Sequence, residues 1–254
     1  MTVVNKADIL DDRERAEFAE SVMEKLGLRE QDFLFISAKR HHNIDLLVRR
    51  IADILPDAMQ DAFIAQQRAD LALKDKRVRA LVYSKATLCG AVALSPLPVA
   101  DMAVITPIQI AMVAAIGYFH GVTLTKERIT EFLGVLGAGF GLREASRQLV
   151  KLIPGVGSVV SSAVAFAGTV ALGESANVWF KRKMNVPADE LREMFKQTAE
   201  SARSEYERHR HSAEAAGPKV ADLERRRKEG LLSDAQFNTL LGQILDAADR
   251  QDDP

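Results

Sequence analysis

The chain has 254 residues, a formal net charge of -1, and 47% apolar and 27% charged residues. This near-neutral balance removes any overall electrostatic pull toward nucleic acid, and the apolar share is enough for a packed core. One cysteine, Cys89, excludes an internal disulfide framework and a cysteine-based zinc cluster, and it fits a reducing compartment.

The averages conceal a segregation: charge crowds into residues 1–85 and 181–254 and is sparse from 86 to 180. Lys6, Asp8, Asp11, Asp12 and Arg13 arrive before the apolar core of a signal peptide has room to form. Thr2, Val3 and Val4 read as the end of a strand. Residues 9–28 read as a polar helix closed near Gly27, and residues 32–37 as a short buried strand. Ile44, Leu47, Val48, Ile51 and Leu55 repeat at helical spacing, and Pro56 permits a break. Strand–helix–strand–helix is the close of a parallel α/β unit. Residues 57–85 read as one charged helix linking domains. Residues 86–100 are uncharged and carry Pro96 and Pro98. Asp101 then interrupts, and residues 102–119 are again uncharged. Residues 127–147 are mixed and hold Gly134, Gly137, Gly139 and Gly141. The longest uncharged run, 152–173, lies between Lys151 and Glu174. A very charged helix is predicted over 189–211, a linker at Gly217-Pro218, and two short helices around Gly230 over 220–248.

Asn5-Lys6-Ala7-Asp8 follows the first strand, and Ser37-Ala38-Lys39 follows the second. Either tetrapeptide or tripeptide alone reads as a helix cap with solvated charges. Together, at the ends of consecutive strands with Asn43-Ile44 opening the next helix, they resemble the guanine-recognition pair, NKxD and SAK, of the Era-like (TRAFAC class) GTPases. Guanine presents two adjacent N–H donors that one carboxylate accepts together, a contact adenine does not offer. The resemblance gives that role to Asp8. It implies that Asn5 ties the two loops and approaches N7, that Lys6 and Lys39 cover the two ring faces, and that the Ala38 N–H reaches O6, with Ser37 in the second motif. The resemblance spans residues 1–56.

Catalysis in that family also needs a phosphate loop, GxxxxGK followed by Ser or Thr, and a DxxG metal and switch motif. Neither string occurs here. Gly137, Gly139 and Gly141 lack the following Lys-Ser/Thr and read as close-packing glycines. The expectation is therefore no catalytic residue, no metal site and no GTPase competence in the chain alone, with GTP or GDP as cofactor only if a phosphate-binding half completes the fold.

Residues 81–183 resemble an uncharacterised helical domain that follows Era-like GTPase domains in many bacterial proteins. The resemblance rests on Pro96-x-Pro98-x-x-Asp101, on Gln109 in a helix ending Tyr118-x-x-Gly121, and on Pro154-Gly155-x-Gly157 leading to Ala171-Leu172-Gly173. It implies a GTPase partner and a membrane setting. Independently, residues 152–173 approach the length of a bilayer span, and Gly157, Ser161, Ala165, Thr169 and Gly173 put small side chains on one stripe. Arg143, Arg147 and Lys151 precede that run, and Lys181, Arg182 and Lys183 follow it, so both flanks are positive and orientation is not readable. A helical bundle with a fully buried central helix explains the same apolarity. Asp101 and Gln109 read as a cap or a satisfied core group ahead of an ion site. His41, His42, His120, His209 and His211 make no metal set. Trp179-Phe180 reads either as an interfacial anchor or as ordinary helix packing.

Residues 218–254, from Asp222-Leu223-Glu224-Arg225 through Gly230-Leu231-Leu232-Ser233 to Gln236-Phe237, resemble the bacterial SHOCT (short C-terminal) domain. Gly230 ends its first helix, and Ser233 with Gln236 forms a capping box for its second. Two short helices bury too little surface alone and need a partner surface or self-association. The fold expected is α+β overall and mostly α. It comprises a truncated α/β GTPase half (1–56), a linker helix (57–80), an apolar helical domain (81–183), a charged helix and linker (184–217) and a helical hairpin (218–254). The function expected is a GTPase-family fragment acting through assembly, on the cytoplasmic side of a bacterial inner membrane or in the cytoplasm. The partners expected are that membrane, a GTPase N-terminal half, and a second copy or another protein at the C-terminal module. The alternatives are the second half of a working GTPase, and a soluble structural helical protein with a vestigial guanine motif.

Overall fold

Two strands of three residues each, β1 (Thr2–Val4) and β2 (Phe33–Phe35), run parallel with Val3 opposite Leu34. The computed structural model describes residues 1–29, 32–94, 100–123, 125, 128–129, 132, 136 and 157–249. Outside these residues lie Pro96, Pro98, Gly134, Gly137, Gly139, Gly141, Arg143, Arg147, Lys151, Pro154 and Gly155, and with them part of the motifs and flanking charges singled out above. The chain divides into two compact units, Met1–Lys76 and Arg77–Pro254.

In the first unit, a 3-10 turn at Ala7–Ile9 leads from β1 to α1 (Asp12–Leu26). Asp11 and Glu14 close a capping box at its start, and Gly27, at φ 63, caps its end. α1 buries no residue, whereas α2 (Ile44–Ile54) buries Val48 and Ala52. The one charged helix predicted over 57–85 is instead two, α3 (Asp57–Gln66) and α4 (Leu71–Leu94). Asp70 causes the break. Its Oδ1 accepts the Leu73 N–H at 2.8 Å, and its Oδ2 accepts Arg49 Nε at 2.6 Å. Side-chain capping competes successfully with helix continuation when the cap is also an ion-pair partner. Burial pushes the Asp70 carboxyl up, but the Arg49 and Leu73 hydrogen bonds outweigh it and hold the group below its ordinary value.

The second unit is helical: the rest of α4, α5 (Ala100–Phe119), α6 (Gly157–Lys181), α7 (Ala188–Lys228) and α8 (Asp234–Asp249). α6 packs against α5 and α7. Buried polar bonds cross these contacts. Ser162 Oγ donates to the Gly90 carbonyl at 2.8 Å and lies 2.5 Å from the Tyr206 hydroxyl. Gln109 donates to Thr169 Oγ1 at 2.9 Å, which makes Gln109 a satisfied interhelical group. His120 Nε2 lies 2.7 Å from Asn177 Oδ1.

Two expectations are corrected here. The linker predicted at Gly217-Pro218 lies inside α7, which is continuous over 41 residues. Gly217 lets the helix approach α4, since a Cβ there would stand 3.5 Å from the Ala91 carbonyl oxygen, and Ala213, Ala216 and Val220 are buried beside it. Packing on both sides of the proline outweighs its local helix-breaking tendency. Trp179 and Phe180 are not an exposed anchor: they are 1% and 3% exposed and lie against Phe132. Among the described residues, no helix is long and apolar enough to cross a membrane.

Gly173, the last residue of the small-residue stripe of α6, serves close packing within the chain. A Cβ on Gly173 would lie 2.5 Å from Val82 Cγ2 and 3.2 Å from Met112 Cε, whereas one on Gly168 would meet nothing within 4 Å. Gly173→Ala should therefore destabilise the protein by about 1–2 kcal/mol, overpacking exceeding the gain in helix propensity. Gly168→Ala should stabilise it by about 0.5–1 kcal/mol. Thermal unfolding of the two variants side by side checks the opposite signs.

Candidate functional site

Parallel pairing of β1 and β2 carries the ends of both strands to one place, so the loops that follow them are neighbours. The backbone sets this up: Ile36 N–H donates to the Val4 carbonyl at 2.8 Å, and Ala7 N–H donates to the Ile36 carbonyl at 2.9 Å. All six residues predicted for the site fall on these two loops.

Asn5 Oδ1 accepts the Lys6 N–H at 2.8 Å and the Ala38 N–H at 3.1 Å, joining the loops directly. Lys6 sits in the left-handed region at φ 67, a conformation a non-glycine residue adopts only when its surroundings hold it there. Ser37, fully buried, donates from Oγ to Asp8 Oδ1 at 2.5 Å. That hydrogen bond, opposed by some burial, is the first cause of the Asp8 carboxyl lying below its ordinary value. Lys6 and Lys39 are exposed.

The resemblance assigned the Ala38 N–H to guanine O6. In this structure that donor is taken by Asn5. The loop-tying role assigned to Asn5 is present, and it uses the group that guanine would otherwise meet.

Sequence reasoning left out Arg40. Its Nε lies 3.7 Å from Asp8 Oδ2, and its backbone N–H donates to Ser37 Oγ at 3.2 Å. Its only signal in the sequence was adjacency to Lys39. Asn43, noted only as a helix opener, also shapes the loop: its Nδ2 donates to the Phe35 carbonyl at 2.9 Å from a left-handed backbone. A bridge between Ser37 and His42 closes the turn. Among the described residues, no group of three or more His, Cys, Asp or Glu side chains is placed to hold a metal. A carboxylate with one oxygen bonded to a hydroxyl and the other facing a cation can accept a paired N–H donor.

The fold defines a mostly helical protein carrying a small two-stranded parallel sheet at its start. The chain belongs to the family described as Domain of unknown function (DUF697), whose pattern matches residues 62–204. No curated protein and no solved structure matches it. The six candidate residues precede the matched segment.

Replacing Ser37 by Ala should raise the Asp8 pKa toward its ordinary value of 3.8, followed by NMR titration of the carboxyl. Because the folded-state pKa is depressed, the bond stabilises the fold above the unfolded value. That stabilisation is lost as pH falls through the folded value, so Ser37→Ala should flatten acid unfolding of the loop region.

Proposed function

We propose that residues 1–56 are the guanine-recognition half of a GTP-binding fold, and that they work by assembling with a phosphate-binding half, on the same or another chain, rather than by hydrolysing GTP themselves. The observation that carries this reading is the pair of ties Asn5–Ala38 and Ser37–Asp8, made between loops at the ends of adjacent parallel strands. Two further features support it. The sheet has two strands among the described residues, and the first unit leaves Val3, Ile9, Phe18, Leu26, Ile54 and Met59 exposed. A doubly wound fold covers such positions with further strands and helices. Asp8 accepts the paired guanine donors, displacing Arg40. Asn5 yields the Ala38 N–H to O6, and Lys6 and Lys39 flank the base. The DUF697 segment is then the helical domain coupled to that nucleotide site.

The chain alone should show no GTP turnover above a buffer control, since it contains no phosphate loop. Calorimetry with GDP should give weak binding that Asp8→Asn reduces at least tenfold, one amide being unable to accept both donors. Equal binding by both versions would refute guanine recognition, and turnover that survives repeated purification would refute the division of labour.

A second reading, peripheral attachment to the cytoplasmic face of a membrane, is favoured by the outer face of α5. Pro107, Ile110, Ala111 and Tyr118 are exposed there, and residues 102–119 carry no charge. Ile110 is 38% and Tyr118 50% exposed. Apolar exposure with an aromatic at one end suits shallow contact with a lipid surface. The protein should sediment with membranes and be released by carbonate without detergent. A need for detergent, or full recovery in the unwashed supernatant, overturns this reading.

A further inference from the structure

The family match ends at residue 204, within α7, yet one apolar cluster is built across that limit. Leu88, Cys89 and Val92 of α4 and Val104 and Ile108 of α5 are buried together with Val220 and Leu223 of α7 and with Leu232, Phe237 and Leu241 of the C-terminal hairpin. The hairpin therefore finds its partner surface on the family domain of its own chain. Its direction depends on one residue: Gly230, at φ 73, follows the end of α7. Among the described residues a Cβ on Gly230 would meet nothing within 4 Å, and Leu231 beside it is 65% exposed, whereas Leu232, 8% exposed, anchors the turn in the cluster.

The docking is also imperfect. Glu224 is 2% exposed; its Oε1 takes Arg227 at 3.2 Å, while its Oε2 has no hydrogen-bond partner among the described residues. The Arg227 guanidinium lies 4.6 Å over the Phe237 ring. A crevice of about 510 Å³, lined by Pro218, Leu223, Leu240 and Ile244 among others, remains open between α7 and α8. A buried orphan oxygen and an open crevice both lower the cost of undocking.

We propose that the C-terminal hairpin is an exchangeable module: α8 docks on α7 and on the cluster it shares with α4 and α5 of its own chain, and on the same face of a second copy when the turn at Gly230 straightens. The second copy is the occupant because the face already fits α8. Exchange remakes the contacts of Phe237 and Leu241 in trans, while the turn residues, Leu232 and the Ser233–Gln236 cap among them, change conformation. Straightening joins α7 and α8 into one helix and yields a two-fold dimer. This inference stands independently of the nucleotide reading.

The test is Gly230→Ala in the full chain, with sedimentation equilibrium, far-ultraviolet circular dichroism and thiol labelling of Cys89. An alanine is disfavoured in the left-handed turn and favoured in a continuous helix, so dimerisation should strengthen about tenfold. Cys89, 0% exposed in this structure, should stay unreactive, because α8 of the second copy covers it. Gly27→Ala is the control: it also alters a left-handed glycine, at φ 63 with nothing within 4 Å, and should leave the oligomeric state unchanged. Adding Phe237→Ala to Gly230→Ala should return a monomer with a reactive Cys89.

A Gly230→Ala protein that stays monomeric overturns the proposal, whether Cys89 is protected, as in a rigid hairpin, or labelled, as in opening without exchange. A dimer that survives Phe237→Ala overturns it too, since another surface then holds the copies. Should Gly230→Ala lose helical content, unmodified chains labelled at the N-terminus with donor or acceptor decide. Energy transfer that develops on mixing upholds exchange, and its absence at the highest soluble concentration overturns it.

Discussion

The helical unit is organised by the need to keep water from α6 while satisfying its polar groups. From Gly157 to Gly173 this helix carries no charge, and Phe166, Val170, Ala171, Ala176 and Trp179 are essentially fully buried. Burial on that scale requires a neighbour on each side, supplied by α5 and α7 among others. It also requires that the buried hydroxyls and amide find partners. Ser162 is satisfied from α4 and α7, Thr169 from α5, and Asn177 by the histidine just past the end of α5. Each bond has one acceptable geometry, so together they fix the rotation of α6 more narrowly than apolar contact does. Among the described residues Ser175 Oγ is left without a partner, a cost that the surrounding packing offsets.

Close approach follows from the same constraint. Gly173 admits Val82 and Met112, and Gly90 brings the α4 backbone within reach of Ser162, where a Cβ would stand 3.2 Å from its Oγ. α7 then closes the unit: Tyr206 enters the polar seam, while the Tyr83 hydroxyl donates to Glu205 at 2.7 Å. Burial first, and the Glu205 carboxylate second, push the Tyr83 pKa up to about 12. A very charged helix thus buries one face and presents the other to solvent, and an apolar segment becomes the centre of a bundle.

The first unit obeys a different rule. β2 buries Phe33 and Leu34, and hydrogen bonds between the loops add order to the candidate site. Asn5 and Ser37 bond from one strand end to the other, and Asn43 Nδ2 ties the following turn back to the Phe35 carbonyl at the end of β2.

Local signals in the sequence were enough to determine β1, β2, α1 and α2, the juxtaposition of Asn5 and Asp8 with Ser37 and Ala38, and the capping box in which Ser233 and Gln236 bond each other's backbone N–H groups. Those features depend on residues a few positions apart or on the fixed geometry of parallel strands. The tertiary structure alone decided the rest. Asp70 breaks the helix predicted over 57–85 because Arg49, twenty-one positions away, completes its cap. Gly217-Pro218 does not break α7 because α4 packs against it. Arg40 joins the site because the turn bridged between Ser37 and His42 brings it to Asp8. The apolarity of α6 is equally compatible with lipid and with protein neighbours, and only the position of α5 and α7 shows which groups cover it. In each case a residue's role was set by the energy of contacts distant in sequence, to which composition and periodicity are blind.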